Sequence, residues 1–148
     1  LSVMVSTKGR YALRVMIDLA QHEGDGFVSL KEISARQGIS AKYLEMIVSL
    51  LAKGHVVRSQ RGKDGGYMLN RPADQITVGE IVLLTEGKLA PVSCLECADN
   101  VCEKATSCLT LPMWQQLDRL IEGYLGSVTV KDIVDGNIKS IEGDNKNG

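Results

Sequence analysis

The stretch Arg61-Gly62-Lys63-Asp64-Gly65-Gly66 constrains this chain most strongly. It separates an extended run that begins with Val56 and Val57 from a second one, Tyr67-Met68-Leu69. Asp-Gly between two such runs is a strong hairpin signal. The tip of that hairpin is basic and rich in glycine. A phosphate-cradling loop does not fit, because the Walker spacing is missing and no helix opens from the turn.

Two short helices precede the hairpin. Ser29 with Glu32 makes a capping-box pattern, and Leu30, Ile33 and Ala35 are expected to face inward up to a stop near Gly38. Ser40 caps a second helix that runs to about Ala52. Its buried stripe is Leu44, Ile47, Val48 and Leu51, and its other face carries Ala41, Lys42, Glu45, Met46 and Ser49. Two short helices about a glycine turn form a helix-turn-helix pattern, whose second helix can enter a major groove. Alone, the pattern also suits any helical hairpin. A basic hairpin placed directly after it is a wing: its glycines admit a close backbone approach to DNA, and Arg61 can reach the negative potential of a minor groove. Ahead of both, residues 6–23 carry Tyr11, Ala12, Val15, Met16, Leu19 and Ala20 at helical spacing, with Lys8, Arg10 and Arg14 off the stripe. Gly24-Asp25-Gly26 ends that helix, and Phe27-Val28 suits a short strand.

Charge divides in the same way. Residues 1–72 hold eleven Lys and Arg against six Asp and Glu, a balance of +5, whereas the remainder is −6. One half therefore suits a polyanion and the other something else, although uneven surface charge gives the same numbers. With aromatics at 4% and apolar residues at 44%, the core is expected to be mostly aliphatic. No run is long enough to span a membrane, and the first residues lack the basic flank of a secretory signal. A cytoplasmic protein without a membrane partner is expected. His22 and His55 are the only histidines, and no nucleophile–base–acid set accompanies them. The chain does not read as an enzyme, and no small-molecule substrate is expected.

Beyond the hairpin, Pro72 closes the wing. Thr77 with Glu80 caps a helix carrying Val78, Ile81, Val82 and Leu84 that stops at Gly87. Pro112 opens a longer helix with Met113, Leu117, Leu120, Ile121 and Tyr124 on one stripe. Its simplest cover is the same helix of a second subunit; packing back on its own domain is the alternative. Thr129 with Asp132 starts a last short helix ending near Val134. Between these helices lie all four cysteines, Cys94, Cys97, Cys102 and Cys108, in a stretch with no clean periodicity. In a reducing compartment such a cluster holds ligands or redox thiols more often than disulfides. The residues alone allow a zinc site of four thiolates, an iron–sulfur cluster or a thiol switch. Cys102-x5-Cys108 is loose for a zinc knuckle.

Three stretches carry a family resemblance: Ser6-Thr7-Lys8-Gly9-Arg10-Tyr11-Ala12-Leu13, Ser40-Ala41-Lys42-Tyr43-Leu44-Glu45, and Arg58-Ser59-Gln60-Arg61-Gly62 with Gly65-Gly66-Tyr67. Cys108-Leu109-Thr110-Leu111-Pro112-Met113-Trp114 and Ser127-Val128-Thr129-Val130 extend it. The chain resembles the IscR/CymR/NsrR family of bacterial winged-helix regulators over nearly its whole length up to about Gly136. The resemblance implies a mainly α fold with a small β-hairpin wing: a winged helix-turn-helix domain plus a long C-terminal dimerisation helix. It implies a homodimer that binds palindromic double-stranded operator DNA, as a repressor. In many members it implies an iron–sulfur cluster, 2Fe-2S or 4Fe-4S, that reports iron–sulfur or redox status. The alternatives within the family are a regulator of cysteine or sulfur metabolism without a cluster, or one with a structural zinc or a thiol switch. An iron–sulfur carrier protein would be a different class, but it needs neither wing nor helix-turn-helix.

By residue, Ser40, Tyr43 and Glu45 match DNA-contacting positions of the family and Arg61 its wing arginine. Glu45 can accept from cytosine, whereas Met46 stands where iron–sulfur members often have glutamine and cannot make glutamine's contact to adenine. Lys42 and Lys63 suit phosphates, and Lys8, Ala41 and Arg58 complete the expected interface. Cys102 and Cys108 match the second and third family cysteines; Cys94 is taken as the first, with Cys97 as a further candidate ligand. Leu111 replaces the IscR-type histidine, and Arg10 the acid of the nitric-oxide-sensing type. The expected division is 1–87 for the winged domain with its supporting helix and 88–111 for the cysteine-bearing sensor loop. Residues 112–136 follow as the dimerisation and short C-terminal helices, and 137–148 as a disordered tail.

Overall fold

Helix α1, Thr7–Gln21, packs against most of the other helices and against one strand of the hairpin. Of its stripe, Ala12, Val15, Met16 and Leu19 are buried in full, whereas Tyr11 and Ala20 are half-buried. The structure, a computed structural model, describes residues 4–91 and 108–140. After α1 the chain makes a short 3-10 turn at Glu23–Asp25 and then enters α2, Leu30–Gln37. The Ser29–Glu32 capping box forms in both directions, and Gly38 takes the left-handed turn at φ 66°. Helix α3, Ala41–Lys53, follows with Ser40 as its cap. Leu44, Ile47, Val48 and Leu51 go inward as their spacing predicts. In α2 only Ile33 is fully buried and Leu30 packs partly against the core, while Ala35 faces solvent. Eight residues give too few turns to bury a second stripe.

Gly54 closes α3, but the left-handed residue is the next one, His55, at φ 58°. Its carbonyl accepts a hydrogen bond from Asn70 Nδ2 at 3.0 Å. Strands β1, Val57–Gln60, and β2, Gly66–Leu69, pair antiparallel from Val57↔Leu69 to Gln60↔Gly66. Val28 adds a single bridge to Tyr67, so the expected third strand shrinks to one residue pair. The hairpin tip is not the two-residue Asp-Gly turn that the sequence suggests. Gly65 N–H donates to Gly62 C=O at 3.1 Å, which puts Lys63 and Asp64 in the middle of the turn. Gly66, at φ 152°, lies so close to the Val28 backbone that a Cβ would collide with its carbonyl oxygen. That glycine serves the packing of the wing on its own domain.

Helix α4, Val78–Glu86, is capped by the Thr77 side chain, but Glu80 does not return the bond. Its carboxylate pairs with Arg71 instead. At the other end of α4, Glu86 reaches the start of α1, where its Oε1 accepts from Ser6 N–H at 3.1 Å, Gly9 N–H at 3.0 Å and the Ser6 hydroxyl. A Cβ on Gly9 would sit 2.6 Å from that oxygen. A carboxylate at a helix C-terminus is unfavourable for its own helix but favourable at the N-terminus of another. Glu86 thus supplies the cap that the Ser6 side chain does not make.

Helix α5, Leu111–Ser127, crosses α4, and α6, Val130–Val134, packs on α1 with Val130 buried. A bridge between Thr77 and Thr129, with Val130 N–H donating to Ile76 C=O at 2.9 Å, ties the segment after α5 to the winged domain. On α5 itself Met113, Leu117, Leu120 and Tyr124 are exposed, Leu120 by 69%. No helix among the described residues is long and apolar enough to cross a membrane.

One charged side chain lies inside this core. Asp18 is 1% exposed and sits on the apolar face of α1. Arg36 grips it with two bonds, Nε at 3.0 Å and Nη2 at 2.8 Å, and Gln37 Nε2 adds a third at 2.8 Å. Burial favours the neutral acid, but the hydrogen bonds from Arg36 and Gln37 and the nearby charges outweigh it, so Asp18 titrates below the usual carboxylate range. Its contribution is complete above the unfolded value of about 3.9 and is lost as pH falls through the lower folded value. Asp18→Ala should destabilise the fold by about 3 kcal/mol, the low end for a broken buried pair, because the Arg36 side chain keeps 34% exposure. Thermal unfolding from pH 7 to pH 3 checks this: the gap to the wild type should be constant above about pH 5 and close below about pH 4. A gap that stays constant into acid would contradict the pairing.

Candidate nucleic-acid interface

The candidate interface begins at the turn between α2 and α3. Ser40 has extended backbone, and its Oγ accepts from Tyr43 N–H at 3.2 Å. That bond occupies one lone pair and leaves the hydroxyl proton to donate outward. Ala41, Lys42 and Glu45 are exposed, with Met46 and Ser49 continuing the same outer face. The burial of Leu44, Ile47, Val48 and Leu51 is what turns these residues to solvent.

Tyr43 is half-buried and meets Tyr11 of α1 edge to face, with ring centroids 5.7 Å apart and an interplanar angle of 83°. This is a favourable geometry for two aromatic quadrupoles. On Tyr11 in turn lies the Arg14 guanidinium, 5.3 Å from the ring centroid. Arg14 also donates to Gln37, through Nη2 to the carbonyl oxygen at 2.5 Å and through Nε to Oε1 at 3.2 Å. Lys8 sits in the first turn of α1, half-buried.

On the wing, Arg58 of β1 is exposed and lies 5.9 Å from the centre of the Phe27 ring. Arg61 and Lys63 are exposed on the loop between β1 and β2. No ion pair to a carboxylate engages Lys42, Arg58, Arg61 or Lys63 among the described residues. The positive charge of this half is thus directed to solvent at α3 and at the wing, while Arg36 spends its charge internally on Asp18.

Of the four cysteines, Cys94, Cys97 and Cys102 lie outside the described residues. Cys108 is half-buried just ahead of α5, with its Sγ 3.4 Å from Thr110 Oγ1. Among the described residues no three His, Cys, Asp or Glu side chains converge on a metal-sized site. Leu111, the residue in place of a family histidine, is 7% exposed and packs at the base of α5.

Sequence reasoning passed over three polar groups that organise this site: Asp18, Gln37 and Glu86. Each had a signal. Asp18 falls on an apolar stripe, where an acid needs a partner. Glu86 sits at the wrong end of its own helix. Gln37 gave no more than a polar residue before the turn glycine, and its two-sided role is visible only in the fold.

The comparisons with known proteins agree with this geometry. The family model of Rrf2, described as an iron-dependent transcriptional regulator, matches residues 5–136. The HTH-type transcriptional regulator IscR of Photobacterium profundum is 39% identical over 140 residues, covering 94% of this chain and 80% of the relative. Among solved structures, CymR (YrzC), the global cysteine regulator of B. subtilis, superposes with a TM-score of 0.74 at 38% identity, covering 92% of this chain and 98% of that one. IscR of T. potens superposes with a TM-score of 0.72 at 38% identity, covering 93% and 89%. With a winged helix-turn-helix and a match along most of its length, the chain belongs to the Rrf2 family of transcriptional regulators.

Proposed function

We propose that the protein is a repressor that binds palindromic operator DNA as a homodimer and senses iron–sulfur or redox status through its cysteines. The observation that carries the DNA reading is the outer face of α3, polar and exposed behind a capped glycine turn and followed by an exposed basic wing. In this reading α3 enters the major groove. Glu45 accepts from a cytosine, Ser40 and Tyr43 make further polar contacts beside Ala41, and Lys42 meets phosphate. Arg61 enters the minor groove, with Arg58 and Lys63 on the flanking backbone and Lys8 at the start of α1. The exposed apolar side chains of α5 support a second copy as its cover. A two-fold dimer then places its recognition helices about one DNA turn, ~34 Å, apart.

The cysteine-bearing segment belongs to the same reading. Four thiols form a soft donor set, which suits an iron–sulfur cluster or zinc and not a hard cation. Cys94, Cys102 and Cys108 would hold a cluster, with Cys97 as the candidate fourth ligand; Leu111 offers no donor, in keeping with its place in the packing. Such a cluster supplies reversible redox chemistry and a stability that depends on iron supply. Cys108 stands at the base of α5, so ligation there acts on the helix that is proposed to set the dimer. A second reading, a cluster-free regulator of cysteine or sulfur metabolism, is favoured by the close likeness to the B. subtilis cysteine regulator.

Titration of a palindromic duplex, selected by the protein from a randomised pool, is expected to saturate at two chains per duplex. Arg61→Ala should weaken that binding by roughly tenfold or more, the 1–3 kcal/mol of a groove contact. Saturation at one chain would contradict the dimer, and unchanged affinity and salt slope would contradict the wing.

Anaerobic purification followed by iron, sulfide and zinc analysis decides between the cysteine readings. Iron and sulfide with a visible absorption band are expected, and Cys108→Ala should remove both. Colourless protein with stoichiometric zinc, or with no metal, would overturn the cluster.

A further inference from the structure

Arg14 looks at first like one more cation for the DNA backbone. It is exposed, it belongs to the basic half of the chain, and it lies one helical turn from Arg10. Its hydrogen bonds point elsewhere. Nη2 and Nε both go to Gln37, the last residue of α2, and the guanidinium plane covers Tyr11. Gln37 in turn donates to Asp18, and Tyr11 meets Tyr43 in the first turn of α3. Arg14 therefore holds one side of the turn through Gln37 and the other side through the two tyrosine rings.

We infer that Arg14 and Tyr11 are positioning residues that set the placement of the recognition helix through Gln37 and Tyr43, and that Arg14 is not a phosphate contact. The inference rests on the reading that α3 enters the groove. Guanidinium geometry accounts for the choice of residue: a planar fork can donate to a carbonyl and an amide together while stacking on a ring. A lysine ammonium cannot do all three. Tyr43 is constrained in a corresponding way, since its ring is held by Tyr11 before DNA arrives, so less rotamer freedom is lost on binding.

A phosphate contact and a positioning residue leave different traces. Losing a phosphate contact weakens all DNA about equally and lowers the salt slope by about 1. Losing a positioning residue weakens the specific complex and leaves the counterion count alone. The test uses the full chain, the selected palindromic duplex and a scrambled duplex of equal length, each titrated over a salt series well below the unfolding temperature.

Arg14→Gln and Tyr11→Leu are each expected to weaken palindrome binding by about tenfold, with scrambled-duplex affinity and both salt slopes unchanged. Tyr11→Phe keeps the ring and should behave as wild type. Because Arg14 is a surface residue, Arg14→Gln stands as the test even if Tyr11→Leu does not fold. An equal loss on both duplexes with a slope reduced by about 1 would make Arg14 a phosphate contact. Unchanged palindrome affinity in Arg14→Gln would also overturn the inference. If the wild type does not discriminate the duplexes at all, the failure lies with the DNA reading itself.

Discussion

A carboxylate that is 1% exposed on an apolar helix face has to be paired, or it destabilises what surrounds it. Asp18 meets that demand with three hydrogen bonds from the last turn of α2, two from Arg36 and one from Gln37. Apolar burial is not directional, so the apolar packing of α2 and α3 on α1 would tolerate a range of tilts. The fork of Arg36 does not. It fixes α2 on α1, and the Gly38 turn then fixes where α3 starts. The other polar anchors work in the same manner at the periphery: Glu86 ties the end of α4 to the start of α1, and the Thr77–Thr129 bridge brings the chain back after α5.

The sequence was most legible where structure is local. Ser29 with Glu32 and Thr129 with Asp132 form their capping boxes as spaced, because both partners lie within one turn. The stripe of α3 is buried as its periodicity predicts, and so is that of α1 apart from the half-buried Tyr11 and Ala20 at its two ends. Legibility ended where a residue had a choice of partners. Glu80 has the spacing of a capping box but pairs with Arg71, a stronger, charge-assisted bond brought in by the fold. Gly65 and Gly66 announce a hairpin correctly, yet the turn is centred on Lys63-Asp64, and Gly66 answers to the Val28 backbone. Of the candidate site, the outward direction of Ala41, Lys42 and Glu45 followed from the buried stripe. The internal use of Arg14 did not, because nothing in its spacing distinguishes it from Arg10.

The exposed charge of α3 and the wing and the exposed apolar side chains of α5 fall on different elements of this molecule. Among the described residues the basic side chains of α3 and the wing meet no carboxylate, whereas Arg36 and Arg71 pair with acids of other elements. Apolar side chains that the core cannot take line α5. Cys108 lies just ahead of Leu111, where α5 begins. In the proposed reading, a change of ligation at Cys108 acts on the dimer first and on the spacing of the recognition helices second.

The outer face of α3 and the wing are proposed as the DNA-reading surface. Amide hydrogen exchange of the full chain, with and without the selected palindromic duplex, tests it most directly. New protection at residues 40–46 and 58–64, with the buried amides of α1 unchanged, is the predicted result. Protection that leaves both segments untouched and falls elsewhere on the molecule would contradict it.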